Sequence, residues 1–151
     1  MKEHVDKNNV MRNTRLILFH KHPVSARLHF LSFSYGGVCA FSPLPKLASI
    51  VETKAGMNVE PVLHPSTITN WGEQQLGLKA GALKAETEFC ERVEVPKYEI
   101  TVYLAGLEGY ETPDTALQRN DIKPLSLMEC VGIPPVEMLL LQKAYRIIMG
   151  N

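Results

Sequence analysis

The sequence predicts a small α+β domain: a small antiparallel sheet with helices packed on one face, and an N-terminal segment expected to be loosely ordered. Three observations carry that expectation. Residues Lys97–Ala105 alternate, with Tyr98, Ile100, Val102 and Leu104 on one side and Lys97, Glu99, Thr101 and Tyr103 on the other. Such alternation marks a strand with one face buried and one wet. Pro135–Met149 repeats apolar residues at helical spacing, begins on a proline and stops at Gly150. Leu78, Ala82, Ala85, Phe89 and Val93 follow steps of three and four, which predicts a further helix over 78–93.

The remaining elements follow in chain order. Arg15–His20 is a short β-prone run punctuated by Lys21-His22-Pro23, and Ala26–Tyr35 is a second that ends at Gly36-Gly37; together they suggest a hairpin. Residues 42–75 carry Pro43, Pro45, Pro61 and Pro65 and read mostly as loop, with a short helix near Leu47–Lys54. Gly81 inside the predicted helix over 78–93 costs about 1 kcal/mol relative to alanine, and Pro96 ends it. Gly106 and Gly109 bracket a turn, and Thr112-Pro113-Asp114 reads as a helix start with Thr112 as N-cap. Ser126–Val131 reads as a short helix stopped by Gly132.

Composition narrows the function classes. The chain has 151 residues, 45% of them apolar and 21% charged, a balance that excludes wholesale disorder, collagen and coiled coil. Sixteen basic residues match sixteen acidic ones, so no net field advertises a nucleic-acid partner. Three cysteines do not make a disulfide framework. No run of about 18 apolar residues suggests a membrane span.

The neutral total conceals an asymmetry. Residues 1–46 hold seven bases and two acids, and no acid lies between Lys7 and Val51. Residues 47–151 hold nine bases and fourteen acids. This divides the chain into a basic N-terminal extension or strand pair, 1–46, and an acidic α+β domain, 47–151. An acid-free start bearing arginine and serine is also how transit peptides are composed, so organelle targeting through residues 11–46 stands beside a cytoplasmic location. A natural start at Met57 is compatible with the same shift. Residues 1–14 at least are expected to pack poorly.

Ser32-Phe33-Ser34-Tyr35-Gly36-Gly37 resembles the nucleophile elbow of α/β-hydrolases, with Ser34 as the weak catalytic candidate. The resemblance covers about ten residues. It departs from the family at Ser32, where the first motif glycine belongs, and at Pro43 and Pro45, which would break the following helix. His64 is the only histidine after Ser34, and it precedes every plausible strand-end acid. Triad catalysis needs histidine within hydrogen-bond reach of serine, and an acid behind it.

Leu125–Met138 resembles a helix-turn-helix, with Gly132 at the turn and Leu127, Val131, Ile133, Met138 and Leu141 at packing positions. Its would-be recognition helix presents Glu137, Leu139 and Leu140 where phosphate contact calls for Lys and Arg. A helical hairpin that touches no DNA is the plainer reading.

His20 and His22 share a strand face, yet neither HExxH nor paired CxxC appears, so no metal or other cofactor is expected. The acids Glu86, Glu88, Glu91 and Glu94 read as a solvated face. Trp71 reads as a core or edge anchor.

These readings favour a small non-catalytic protein-interaction module, an accessory or assembly factor or a regulator or inhibitor of another protein. A DNA-binding regulator using 125–146 and a serine hydrolase-like fragment around Ser34 are the alternatives. The candidate interface is the C-terminal helix. Its apolar positions sweep about 220°, where a one-sided surface helix needs about 100°. Leu140, Leu141, Ala144, Tyr145, Ile147 and Ile148 are the proposed interaction residues, meeting a protein partner or a second copy in a homodimer.

Overall fold

The computed structural model describes residues 12–51 and 63–150. In chain order these form β1 (Thr14–Lys21), β2 (Leu28–Ser32), β3 (Cys39–Ala40), β4 (Ser49–Ile50), α1 (Pro65–Leu76), β5 (Leu83–Val95), β6 (Tyr98–Leu107), α2 (Asp114–Arg119), β7 (Lys123–Leu125), a single 3-10 turn at Leu127–Glu129, and α3 (Pro135–Met149). The chain is thus of mixed α+β class, but the sheet is larger than expected and not wholly antiparallel. Seven strands lie in the order β4-β5-β6-β1-β2-β7, with β3 also pairing β1. The β1–β6 pair is parallel, from Thr14 opposite Thr101 to Phe19 opposite Gly106, and the other pairs are antiparallel.

The expected hairpin of the N-terminal third is present, with Phe19 opposite Phe30 and His20 opposite His29. β1 lies at the middle of the sheet, and Leu16, Ile17 and Leu18 are fully buried. Burial on consecutive residues means that both faces of the strand are covered. Ile17 and Phe19 join Phe30, Phe89, Val102 and Leu104 in one core, closed by Leu140, Leu141 and Ala144 of α3. Leu16 and Leu18 join Leu31, Tyr103, Ala105 and Leu107 in a second, closed by Ile68 and Leu76 of α1 and Leu117 of α2. The helices therefore occupy both faces of the sheet, which corrects the one-face arrangement. β6 shows the consequence: Ile100, Val102 and Leu104 are buried as the alternation predicts, but α1 also buries Tyr103 and Ala105, while Tyr98 is exposed. Of the N-terminal residues expected to pack poorly, 1–11 lie outside the described residues, Arg12 and Asn13 are exposed, and Thr14 is buried within β1.

Three helix expectations are overturned. The segment 78–93 is not a helix. Gly77 and Gly81 both take positive φ in the connection before it, and β5 begins at Leu83. β5 pairs with β6 through Ala85–Ala105 and Cys90–Tyr103, so an irregularity of four residues separates two regular stretches. That bulge re-phases the apolar residues and imitates helical spacing. The hairpin then closes through Pro96-Lys97, with Val95 opposite Tyr98.

Conversely, α1 lies within the stretch read as loop. Its N-cap is His64, whose side chain accepts from Ser66 N–H; Pro65 opens the helix, and Gly77 in the left-handed conformation closes it. The helix near Leu47–Lys54 is instead β4, whose Ser49 and Ile50 pair with Glu94 and Val93; residues 52–54 lie outside the described residues. Thr112 does not cap α2: its hydroxyl donates to Asp114 Oδ1 at 2.7 Å, and Pro113 holds the cap position. Ser126 and Glu129 form a reciprocal capping box on a single turn, so Ser126–Val131 is shorter than the helix predicted there.

Candidate functional site

Ser34 stands exposed at the tip of a tight turn closed by Phe33 N–H to Gly37 O (2.8 Å) and Gly36 N–H to Phe33 O (2.9 Å). The turn leads into strand β3 rather than a helix, so the chain makes a strand–turn–strand connection and no nucleophile elbow. His64 is engaged at the N-cap of α1, its Nδ1 accepting from Ser66 N–H at 3.1 Å. The ring stack of Phe33 on Tyr35, and the edge contacts of Phe33 with Phe41 and of Phe41 with Trp71, tie this turn to α1. Trp71 is thereby an anchor, as the sequence suggests.

Beneath the turn lies a buried polar cluster whose members are scattered in the sequence. Glu137 enters from the first turn of α3 and is only 1% exposed. Its Oε1 accepts from Val38 N–H at 2.7 Å and from Cys39 N–H at 3.3 Å; among the described residues its Oε2 has no hydrogen-bond partner. A Cβ at Gly37 would lie 2.7 Å from Oε1 and 2.9 Å from Oε2, so glycine is needed for this close approach. Burial, and next the Glu137 charge, push the Cys39 thiol well above its ordinary range. Partial desolvation raises the phenol of Tyr35, an exposed residue of the turn, whose hydroxyl donates to Cys39 O. Arg15 is also buried; desolvation lowers its pKa, and its guanidinium donates to Pro43 O, Arg12 O and Thr14 O.

Glu73 in α1 behaves like Glu137: it is buried, and Oε2 accepts from Gly81 N–H at 3.1 Å and Leu83 N–H at 3.0 Å. The buried ionic side chains Glu73, Glu137 and Arg15 thus engage main-chain groups and hold turns in place. Glu137 does leave a signal in the sequence, because it is an acid inside an otherwise apolar helical arc.

No family model matches this chain. No curated protein is significantly similar to it either.

The predicted interaction residues divide. Leu140, Leu141 and Ala144 lie in the core against the sheet, whereas Tyr145, Ile147 and Ile148 are half-buried. The helix-turn-helix over 125–146 lacks its first helix, since Leu127–Glu129 is one 3-10 turn. That same stretch exposes large apolar side chains: Met128 at 87%, Val131 at 79% and Leu139 at 51%.

A different kind of hollow lies elsewhere among the described residues. It is open to solvent, has a volume of about 440 Å³ between the β1–β2 hairpin and the loop from β6 to α2, and is lined by His20, His22, Arg27, His29, Tyr110 and Glu111 among others. Among the described residues no group of three His, Cys, Asp or Glu side chains is arranged to hold a metal ion. No helix among them is long and apolar enough to cross a membrane.

Proposed function

We propose that this chain is a non-catalytic protein-interaction module, which associates with a protein partner or a second copy of itself through the outer side of α3 and the segment before it. The observation that carries the reading is the exposure of Met128, Val131 and Leu139 within twelve residues of chain. Single exposed apolar residues are ordinary, but grouped ones mark contact surfaces. The neighbouring Gln142 and Arg146 are exposed and polar, the character of an interface rim. The buried ionic groups support a non-catalytic reading, because each already serves the backbone.

Size exclusion with light scattering tests self-association, and co-purification followed by mass spectrometry tests for a partner. Leu139→Asp and Met128→Asp alter exposed positions and should leave the fold intact. The expected result is a complex or dimer for the wild type that both variants weaken. A folded wild type that remains monomeric, and whose co-purifying proteins are unchanged by either variant, refutes the proposal.

A further inference from the structure

The hollow between the β1–β2 hairpin and the β6–α2 loop has two walls of opposite character. The hairpin wall supplies His20, His22, Arg27 and His29; the loop wall supplies Tyr110, Glu111, Thr112 and Asp114. Strand pairing explains the first. His20 and His29 are directly opposed across β1 and β2, and His22 follows His20 at the two-residue repeat of a strand.

Two contacts fix the distance between the walls. His20 is buried, and its Nε2 lies 2.9 Å from Gly109 O. A carbonyl oxygen only accepts, so Nε2 carries the hydrogen. The His22 ring meets Tyr110 edge-on at 5.6 Å. His22 Nδ1 accepts from Val24 N–H and Ser25 N–H, both at 3.2 Å, which places the His22 hydrogen on Nε2 as a donor.

The charges on the two walls do not neutralise each other. Among the described residues Arg27 forms no ion pair with Glu111 or Asp114, and all three are exposed. Two carboxylates oppose a simple anion here, a guanidinium opposes a simple cation, and the metal geometry is absent among the described residues. A ligand with charge of both signs satisfies both walls. We propose that this hollow binds a small zwitterion of the amino-acid class, its carboxylate against Arg27 and His22 and its ammonium group against Glu111 and Asp114. The hollow is within the size range of small-molecule sites, and the His20–Gly109 and His22–Tyr110 contacts hold its two walls apart at a fixed distance before any ligand arrives. The proposal is independent of the interaction surface on α3.

The test is nuclear magnetic resonance of the full chain, labelled at histidine and at the backbone, titrated with alanine, glutamate and lysine. Parallel titrations use N-acetylalanine, alanine amide, acetate and inorganic phosphate. Saturable shifts at His22 and His29 with a free amino acid, lost when either end is blocked, are the expected result. Arg27→Gln and Asp114→Asn should each weaken that binding by about tenfold, while the amide spectrum stays that of the folded protein. Acetate, phosphate or N-acetylalanine binding as well as alanine would make this an anion site and overturn the proposal. Alanine amide binding equally well would make it a cation site and overturn the proposal too. Absence of any shift with all three free amino acids also overturns it.

Discussion

Glu137 and Gly37 should behave as one unit, and their coupling can be measured. Glu137→Ala removes the acceptor for Val38 N–H at 2.7 Å and Cys39 N–H at 3.3 Å, in a buried setting. A buried amide left without a partner costs about 1–3 kcal/mol, and the short Val38 bond dominates because the Cys39 contact is long. The void from truncating a fully buried side chain adds about 1 kcal/mol. Removing Oε2, which has no partner among the described residues, offsets part of this, so the net loss is about 2–3 kcal/mol. Gly37→Ala fails for a different reason. Its new methyl would lie 2.7 and 2.9 Å from the two carboxylate oxygens, so Glu137 must shift away from Val38, at about 1–3 kcal/mol. In the double variant the clashing oxygens are gone, and the methyl fills part of the void. The combined loss should therefore be smaller than the sum of the single losses by at least about 1 kcal/mol. Urea unfolding followed by the fluorescence of Trp71, the single tryptophan, and by circular dichroism supplies all three values. Additivity within about 0.5 kcal/mol, at constant m, would show that Glu137 does not hold the Gly36-Gly37 turn.

Further outcomes are expected from the same packing. Val102→Asp should cost more than about 3 kcal/mol, since it buries an unpaired charge, whereas Thr101→Asp at a half-buried site should cost clearly less; equal losses in chemical denaturation would contradict the burial assigned to β6. Burial raises the thiols of Cys39 and Cys90, but Cys90 is only half-buried, so a thiol reagent at neutral pH should modify Cys90 first and Cys39 only on unfolding. Exposed Ser34, at the tip of a strand–turn–strand connection, should not react with a fluorophosphonate, and stoichiometric labelling lost in Ser34→Ala would reopen the hydrolase reading. The Glu129 carboxylate is held below its usual range first by the Ser126 backbone N–H and then by the Ser126 side chain. A depressed pKa makes this capping interaction present above the unfolded pKa and lost as pH falls through the folded one; a carbon-detected titration should show that low value, and Ser126→Ala should move it up.

Some elements are legible in the sequence because one physical signal governs them. α3 carries both a helical repeat and its stop signals, and β6 alternates because Ile100, Val102 and Leu104 share one core with α3. The second buried face of β6 is illegible, since it depends on α1, and α1 is concealed by a glycine. Gly72 lies in the helix's buried stripe, where a Cβ would come within 2.7 Å of Leu83 Cδ1 and 3.0 Å of Leu16 Cδ2. A position that must be empty for the helix to reach the sheet contributes nothing to an apolar periodicity. Its boundaries are visible all the same, as Pro65 at the start and Gly77 at the end.

The two candidate sites differ in the same way. The buried cluster around Glu137 has a local trace, one acid in an apolar arc, because burial of a carboxylate demands donors wherever they come from. The hollow has only half a trace. His20 and His22 share a face by periodicity, but His29 joins them only when the hairpin register sets it opposite His20. The acidic wall comes from a loop that periodicity does not address, and it is placed by the bond between His20 and Gly109. A one-residue slip of β2 against β1 would turn His29 to the opposite face. The phenylalanine pair of Phe19 and Phe30, beside the histidines in the same register and in the core on the other face, resists that slip. The burial that stabilises one side of the hairpin therefore positions the chemistry on the other.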